Sequence, residues 1–239
     1  MSESYPQRAW ALPTDATEVL LVRHGASQAA VPGEPFELLE GHADPPLAPE
    51  GQAQARAVTA RLAADPPDTL FVTPLRRTAQ TAAPLAHATG LEPEVVADLR
   101  EVNLGAWEGG EMRIRAAHGD PLFARIFEEQ RWDVIPDAEP MADFAARCRA
   151  GLLHVVQRTG PGRRAAAVVH GGVVGELCRQ ATGAPALAFV HAENTSISRI
   201  VVFGDGRWLL LSFNDTAHLT GDARISPARR RDAQSMDHG

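Results

Sequence analysis

Val19-Leu20-Leu21-Val22-Arg23-His24-Gly25 is the stretch on which the reading of this chain turns. A short apolar run ending in a cation, an imidazole and a glycine reads as a buried strand. Such a strand delivers reactive groups at its carboxyl end, where open α/β sheets bind their ligands. The tripeptide Arg23-His24-Gly25 says little alone. Its weight depends on whether distant segments supply the partners a histidine nucleophile needs.

Working outward, residues 18–22 form the first strand, after a polar, proline-containing arm at 1–17. A loop rich in proline and glycine follows, then a helix over 49–64 with Pro49 and Glu50 in its first turn. Residues 69–72 read as a second strand and 74–89 as a helix capped by Gly90. An edge strand is expected over 94–97 and an amphipathic helix over 141–157. Residues 165–169 form a strong buried strand with a helix over 172–181 behind it. Two last strands, 196–203 and 207–213, flank the hairpin signal Gly204-Asp205-Gly206. Alternating strands and helices predict a layered α/β domain with a mainly parallel sheet, made mixed by the terminal hairpin. The stretch 105–140 carries Trp107, Phe123, Phe127 and Trp132 among charges, and reads as a helical excursion over the sheet.

The chain has 239 residues, 44% hydrophobic and only 5% aromatic, so aliphatic residues and alanine must pack the core. One domain over 18–220 is expected, with a disordered tail at 221–239 that holds Arg229-Arg230-Arg231. A formal net charge of −7 argues against a general nucleic-acid surface but leaves room for a small cationic pocket. No apolar run reaches membrane-spanning length, and the first residues lack the order of a signal peptide, so a cytoplasmic protein is expected. Cys148 and Cys178 show no metal-type spacing and read as buried, reduced thiols. The apolar hairpin near 201–211 could serve as a homodimer edge or as an internal sheet edge.

Four segments carry chemistry. They are Leu21 to Gly25; Thr73-Pro74-Leu75-Arg76-Arg77-Thr78-Ala79-Gln80-Thr81-Ala82; Glu101 with Gly105-Ala106-Trp107-Glu108-Gly109; and Val168-Val169-His170-Gly171-Gly172. Three of them follow strands, and a parallel sheet brings such ends to one edge. In this order the segments resemble the histidine phosphatase superfamily, the phosphoglycerate-mutase-like group, and its phosphatase branch in particular. The Arg-His-Gly motif is matched at Arg23 to Gly25, the Ser-Pro-Leu-x-Arg-Ala-x-Gln-Thr-Ala helix start from Thr73 to Ala82, and the second histidine at His170. A weaker match runs from Gly41 through Asp44 and Leu47 to Gly51, with Gln54 one place late.

The resemblance implies a three-layer α/β/α sandwich with the helical insertion over the active site. It also implies a metal-independent phosphomonoester hydrolase, without cofactor, that acts through a phosphohistidine on a small phosphorylated metabolite. His24 would be the nucleophile and Glu101 the general acid and base. Arg23, Arg77 and His170 would hold the transferring phosphoryl group, with Gly171 beside them. The residue types support this independently. Guanidinium forks suit phosphate oxygens, and a phosphoryl group in flight spreads negative charge over them. A neutral imidazole attacks through one nitrogen while the other donates to a backbone carbonyl, and nearby cations keep it unprotonated. His170 is expected to be protonated when phosphate is bound.

Departures from the pattern matter too. Many members carry a phosphate-bonding asparagine six places after the nucleophile, where this chain has Ala30. Ser27 and Gln28 are the replacements within reach, and His42, in the same loop, could contact substrate. Glu40 stands where a neutral polar residue is common. The arginines of the excursion, Arg113, Arg115, Arg125 and Arg131, read as a solvated helical face or as a surface for an anionic substrate. Two alternatives stay open: a phosphoglycerate mutase, and a non-catalytic phosphate-binding module.

Overall fold

The computed structural model describes residues 5, 7 and 9–220, so the expected tail at 221–239 lies outside the described residues. Strand β1 is Thr17–Arg23, followed by the two-residue strands β2 (Leu38–Leu39) and β3 (His42–Ala43) and helix α1 (Pro49–Ala63). Then come β4 (Thr69–Val72), α2 (Arg76–Thr89), β5 (Glu94–Val95), α3 (Glu111–Ala117) and α4 (Pro121–Glu128). The chain continues through α5 (Met141–Thr159), β6 (Arg164–Val169), α6 (Gly171–Thr182), β7 (Ile197–Val202) and β8 (Trp208–Asp215). None of the helices is long and apolar enough to cross a membrane among the described residues.

Six strands form one mixed sheet in the order β5-β4-β6-β1-β7-β8. β5, β4, β6 and β1 run parallel, whereas β7 is antiparallel to both β1 and β8. Register is set by burial on both faces. Val19 and Leu21 of β1 pack with Phe71, Ala165, Ala167 and Val169 against α5, α6 and the 105–140 segment. Leu20 and Val22 face the other way, with Leu70, Val72, Ala166 and Val168, against α1 and α2. This is the three-layer arrangement expected, and strands covered on both sides read as unbroken apolar runs for that reason.

The boundaries differ from the sequence reading in places. The arm was expected to run through residue 17, but Ala16 and Thr17 are buried. Thr17 pairs with Val202, and its hydroxyl donates to the Gly160 carbonyl at 2.8 Å. Helix α2 starts two residues late, because Leu75 is still extended at φ −74°, ψ 127°. The edge strand expected at 94–97 is cut to Glu94–Val95, since Ala97–Leu99 turns into a 3₁₀ helix. The hairpin of β2 and β3 had no signal in a loop of prolines and glycines; strands of two residues are too short for periodicity. Segment 105–140 is helical as expected, and Trp107, Ile126, Trp132 and Ile135 join the main core, so it is one body with the sheet.

At the amino end of β1, Glu18 is fully buried. Its two carboxylate oxygens accept from Arg164 Nε and Arg199 Nε, each at 2.7 Å. One carboxylate thus ties together β6, β1 and β7, the central strands of the sheet.

Candidate active site

The sheet order puts β1, β6 and β4 side by side, and Arg23 lies opposite Val169 in the β1–β6 register. His24 therefore leaves the sheet next to His170; their ring centroids are 5.2 Å apart, edge to face. The backbone N–H of His24 still donates to the Val169 carbonyl at 2.9 Å, so His24 sits on the last rung of the ladder. The segment after β4 turns into α2 and brings Arg77 to the same place.

His24 is only 5% exposed. Its Nδ1 donates to the Gly25 carbonyl at 2.8 Å, which leaves Nε2 with its lone pair. Nε2 accepts from Arg77 Nε at 3.2 Å. Burial, then the charges of Arg77 and Arg23, hold the His24 pKa well below the ordinary histidine value. The ring is thus neutral, with one tautomer fixed. The bend that follows it needs glycine on both sides of a close crossing. A Cβ on Gly25 would lie 2.5 Å from the Gly51 carbonyl oxygen, and one on Gly51 would lie 2.0 Å from the Ala26 carbonyl oxygen. Side chains secure this crossing: Gly25 N–H donates to Thr81 Oγ1 at 3.0 Å, and Ala26 N–H donates to Gln54 Oε1 at 2.9 Å.

Arg77 is buried, and its Nη1 donates to the Ala43 carbonyl at 2.7 Å. Burial lowers its pKa to about 10, against the opposing pull of Glu101 and Asp44. Arg23 Nη1 donates to the Ala192 carbonyl at 2.5 Å, while its buried Nε has no partner among the described residues. His170 is fully buried; its Nε2 bonds Thr73 Oγ1 at 2.9 Å, and its Nδ1 likewise lacks a partner. Burial, with Arg77 next in effect, pushes the His170 pKa well down, so this ring too is neutral before an anion arrives. Buried polar atoms are nearly always paired. Arg23 Nε and His170 Nδ1 are two exceptions at this site among the described residues, both nitrogens that can face an acceptor oxygen.

Glu101 stands beside them. Its Oε1 accepts from Val102 N–H at 3.0 Å and its Oε2 from Gly172 N–H at 3.1 Å, in the first turn of α6. A Cβ on Gly172 would sit 2.4 Å from Glu101 Oε1, so only glycine lets the carboxylate approach the helix. Gly171 lies against the Arg23 guanidinium, 3.4 Å from Nε to the position of a Cβ.

The loop residues divide. His42 is buried, its Nδ1 donating to the Glu40 carbonyl at 3.2 Å and its Nε2 without a partner among the described residues. His42 lies within electrostatic range of His170. Ser27 Oγ accepts from Arg113 Nη2 at 2.7 Å, and the Gln28 carbonyl accepts from Arg113 Nη1 at 2.7 Å. Gln28 itself is exposed, so its side chain is not part of the buried cluster. Glu40 is explained by Arg100, whose guanidinium pairs with it.

Four residues have positions that sequence reasoning missed. Glu108 Oε2 accepts from Ala43 N–H at 2.7 Å and Oε1 from Leu104 N–H at 2.9 Å, fastening the β2–β3 hairpin to the insertion. Asn194 Nδ2 donates to the His24 carbonyl at 2.9 Å. Arg147 of α5 donates to the carbonyls of Asp98, Arg100 and Glu101 at 2.6–2.9 Å, bracing the segment that carries Glu101. Arg113 is the fourth. The Gly-x-Trp-Glu-Gly motif was a signal for Glu108, whereas Asn194 and Arg147 act through single long-range contacts that leave no local pattern.

The model of the family described as "Histidine phosphatase superfamily (branch 1)" matches residues 19–216. The probable phosphoglycerate mutase GpmB of Yersinia enterocolitica is 30% identical over 213 residues, covering 84% of this chain and 94% of that protein. The metal-independent phosphoserine phosphatase of Arabidopsis thaliana is 28% identical over 210 residues, covering 87% and 85%. Among solved structures, a mycobacterial glucosyl-3-phosphoglycerate phosphatase superposes with a TM-score of 0.66 at 26% identity, covering 84% of this chain and 100% of its own.

Proposed function

This chain belongs to the histidine phosphatase superfamily, and from that premise we propose that it hydrolyses small phosphorylated metabolites through a phosphohistidine, without a metal. The observation that carries the reading is His24. It is buried and neutral, fixed in one tautomer, and its unprotonated Nε2, which accepts from Arg77, lies beside Arg23 and His170. Two of the relatives are named for phosphoserine and for glucosyl-3-phosphoglycerate, both small phosphate monoesters.

In the first half-reaction, His24 Nε2 attacks phosphorus. The N–P bond forms as the ester O–P bond breaks, and Glu101 gives its proton to the departing oxygen. Arg23 and Arg77 donate to the equatorial oxygens, where charge accumulates. The buried Nδ1 of His170 takes up a proton with the anion and becomes a further donor. In the second half-reaction, water attacks phosphorus and Glu101 takes its proton. The N–P bond breaks, phosphate leaves, and Glu101 is protonated for the next turnover.

Turnover of p-nitrophenyl phosphate by wild type, and its loss in His24→Ala, tests this reading. Rapid acid-free quenching with a 32P-labelled substrate should trap label on the imidazole. Unlabelled protein and an active His24→Ala variant would reject the assignment. The name of the Yersinia relative motivates a second reading, phosphoglycerate mutase. A mutase must shield its phosphohistidine from water until substrate returns. Phosphate release compared with interconversion of 2- and 3-phosphoglycerate separates the two.

A further inference from the structure

Arg113 lies on α3, within the insertion, just after the Gly105 to Gly109 motif but far in sequence from the loop around Ser27 and Gln28. It was open whether this arginine was a solvated helix residue. Its side chain is exposed at the surface, yet its guanidinium is not left to water. Nη1 and Nη2 dock on the Gln28 carbonyl and Ser27 Oγ, both at 2.7 Å, in the loop that follows the nucleophile. Its Cζ also lies 5.9 Å from the centre of the Phe36 ring. Phe36 N–H in turn donates to the Gly109 carbonyl at 2.9 Å, so the insertion and the loop hold each other.

Two features separate this from an ordinary surface contact. The positive charge of Arg113 acts on Arg23, His24 and Arg77, lowering the pKa of all three. Three guanidinium groups within electrostatic reach of one imidazole repel one another, and a dianion among them relieves that repulsion. The docking contacts also use only some of the five N–H donors of the fork, and they fix its plane in advance. Ala30, which has no polar group to offer, lies against Gly110 just before α3.

We infer that Arg113 is a third guanidinium of the phosphate site, brought in from the insertion to donate to the phosphoryl oxygens beside Arg23 and Arg77. The inference rests on the reading that this site takes phosphate. The insertion then completes the charge-stabilising shell as well as roofing it, and Ser27 and Gln28 serve phosphate indirectly, by aiming Arg113.

The test uses the full chain, with orthophosphate as the probe, in wild type, Arg113→Lys and Arg113→Met. Inhibition of p-nitrophenyl phosphate hydrolysis by orthophosphate should weaken about tenfold or more in Arg113→Met, as expected for a lost charge-assisted hydrogen bond. Arg113→Lys, which keeps the charge and loses the fork, should fall between. The acid limb of kcat/KM should move to higher pH in Arg113→Met, because a cation that holds the His24 pKa down is gone; a purely structural arginine would not produce that shift. Calorimetry of orthophosphate on His24→Ala and on His24→Ala with Arg113→Met separates binding from turnover. Unchanged orthophosphate inhibition and an unmoved acid limb would overturn the inference while leaving the phosphatase reading intact. A loss confined to substrates with a second anionic group, such as 3-phosphoglycerate, would overturn it by assigning Arg113 to the leaving group. If wild type neither binds orthophosphate nor turns over ester, both readings fall.

Discussion

Arg77 donates through Nε to Nε2 of His24 at 3.2 Å, so one guanidinium both marks the attacking lone pair and lowers its basicity. On the proposed reading, the oxygens of an entering phosphoryl group would compete for the same donor and release the lone pair toward phosphorus.

The nucleophile is the first prediction. His24→Ala should lower kcat by about ten-thousand-fold or more, the scale seen when a member of a concerted catalytic unit is removed. Circular dichroism should match wild type, because the strand register around residue 24 is held by backbone bonds. Retained turnover would assign the attack elsewhere.

The pH profile is the second. Both imidazoles have pKa values pushed well below the ordinary histidine value, chiefly by burial. His24 must be neutral to attack, so the acid limb of kcat/KM should lie below pH ~6.5, the unperturbed histidine value. Arg77→Met removes a cation that lowers the His24 pKa, so the limb should move upward as overall activity drops. A limb at or above the free-histidine value in wild type would contradict the electrostatics described here.

Glycine 172 supplies the third. Gly172→Ala improves helix propensity but places a methyl group 2.4 Å from Glu101 Oε1. Its effect should therefore copy Glu101→Gln: a larger fall in kcat for an alkyl phosphate than for p-nitrophenyl phosphate, whose leaving group needs little protonation. Equal losses on both substrates would argue that Glu101 only positions, without transferring a proton.

Glu108 is the fourth. Glu108→Ala strips acceptors from the N–H groups of Ala43 and Leu104. Each orphaned donor costs about 1–3 kcal/mol. Stability should fall accordingly in urea titration, and KM should rise, because Ala43 also anchors Arg77. An unchanged KM would mean that the hairpin does not steady the phosphate site.

Glu18, at the far end of β1, gives the contrasting fifth case. Glu18→Ala breaks contacts to Arg164 and Arg199 and should cost about 2 kcal/mol, since the arginines can turn to solvent while a buried carboxylate is lost. Thermal unfolding should shift down by several degrees with KM unaltered. A change in KM would mean that the two ends of the strand are coupled.

The parts of the fold that were legible from residue order alone share one property: their signals are local. Four apolar residues before Arg23, the alternation of strand and helix, and Gly204-Asp205-Gly206 each declare themselves within a few positions. Arg23, His24 and His170 come together because they stand at the ends of the adjacent strands β1 and β6, whereas Arg77 joins them from the first turn of α2 after β4 and Glu101 by docking on the first turn of α6. What stayed hidden depends on distance in the chain. Asn194 touches the His24 carbonyl across 170 positions, and Arg147 reaches the Glu101 carbonyl across 46. For Arg113, solvated charge and a surface for an anionic substrate stayed open, because nothing near it in sequence announces Ser27. Gln28 was legible as a loop residue, and the contact it makes to Arg113 runs through its backbone carbonyl, which has no side-chain signal.

Strand β6 lies between β1 and β4, although it is made after both. During synthesis, the two earlier strands cannot adopt their final spacing, and the pocket lacks its second imidazole, until residues 164–170 have left the ribosome. The nascent amino-terminal part thus carries His24, Arg23 and Arg77 without His170. The late insertion of a central strand makes folding depend on contacts between distant stretches, which is slow relative to local helix formation. A chain truncated before that point should be both inert and prone to associate through its open strand edges.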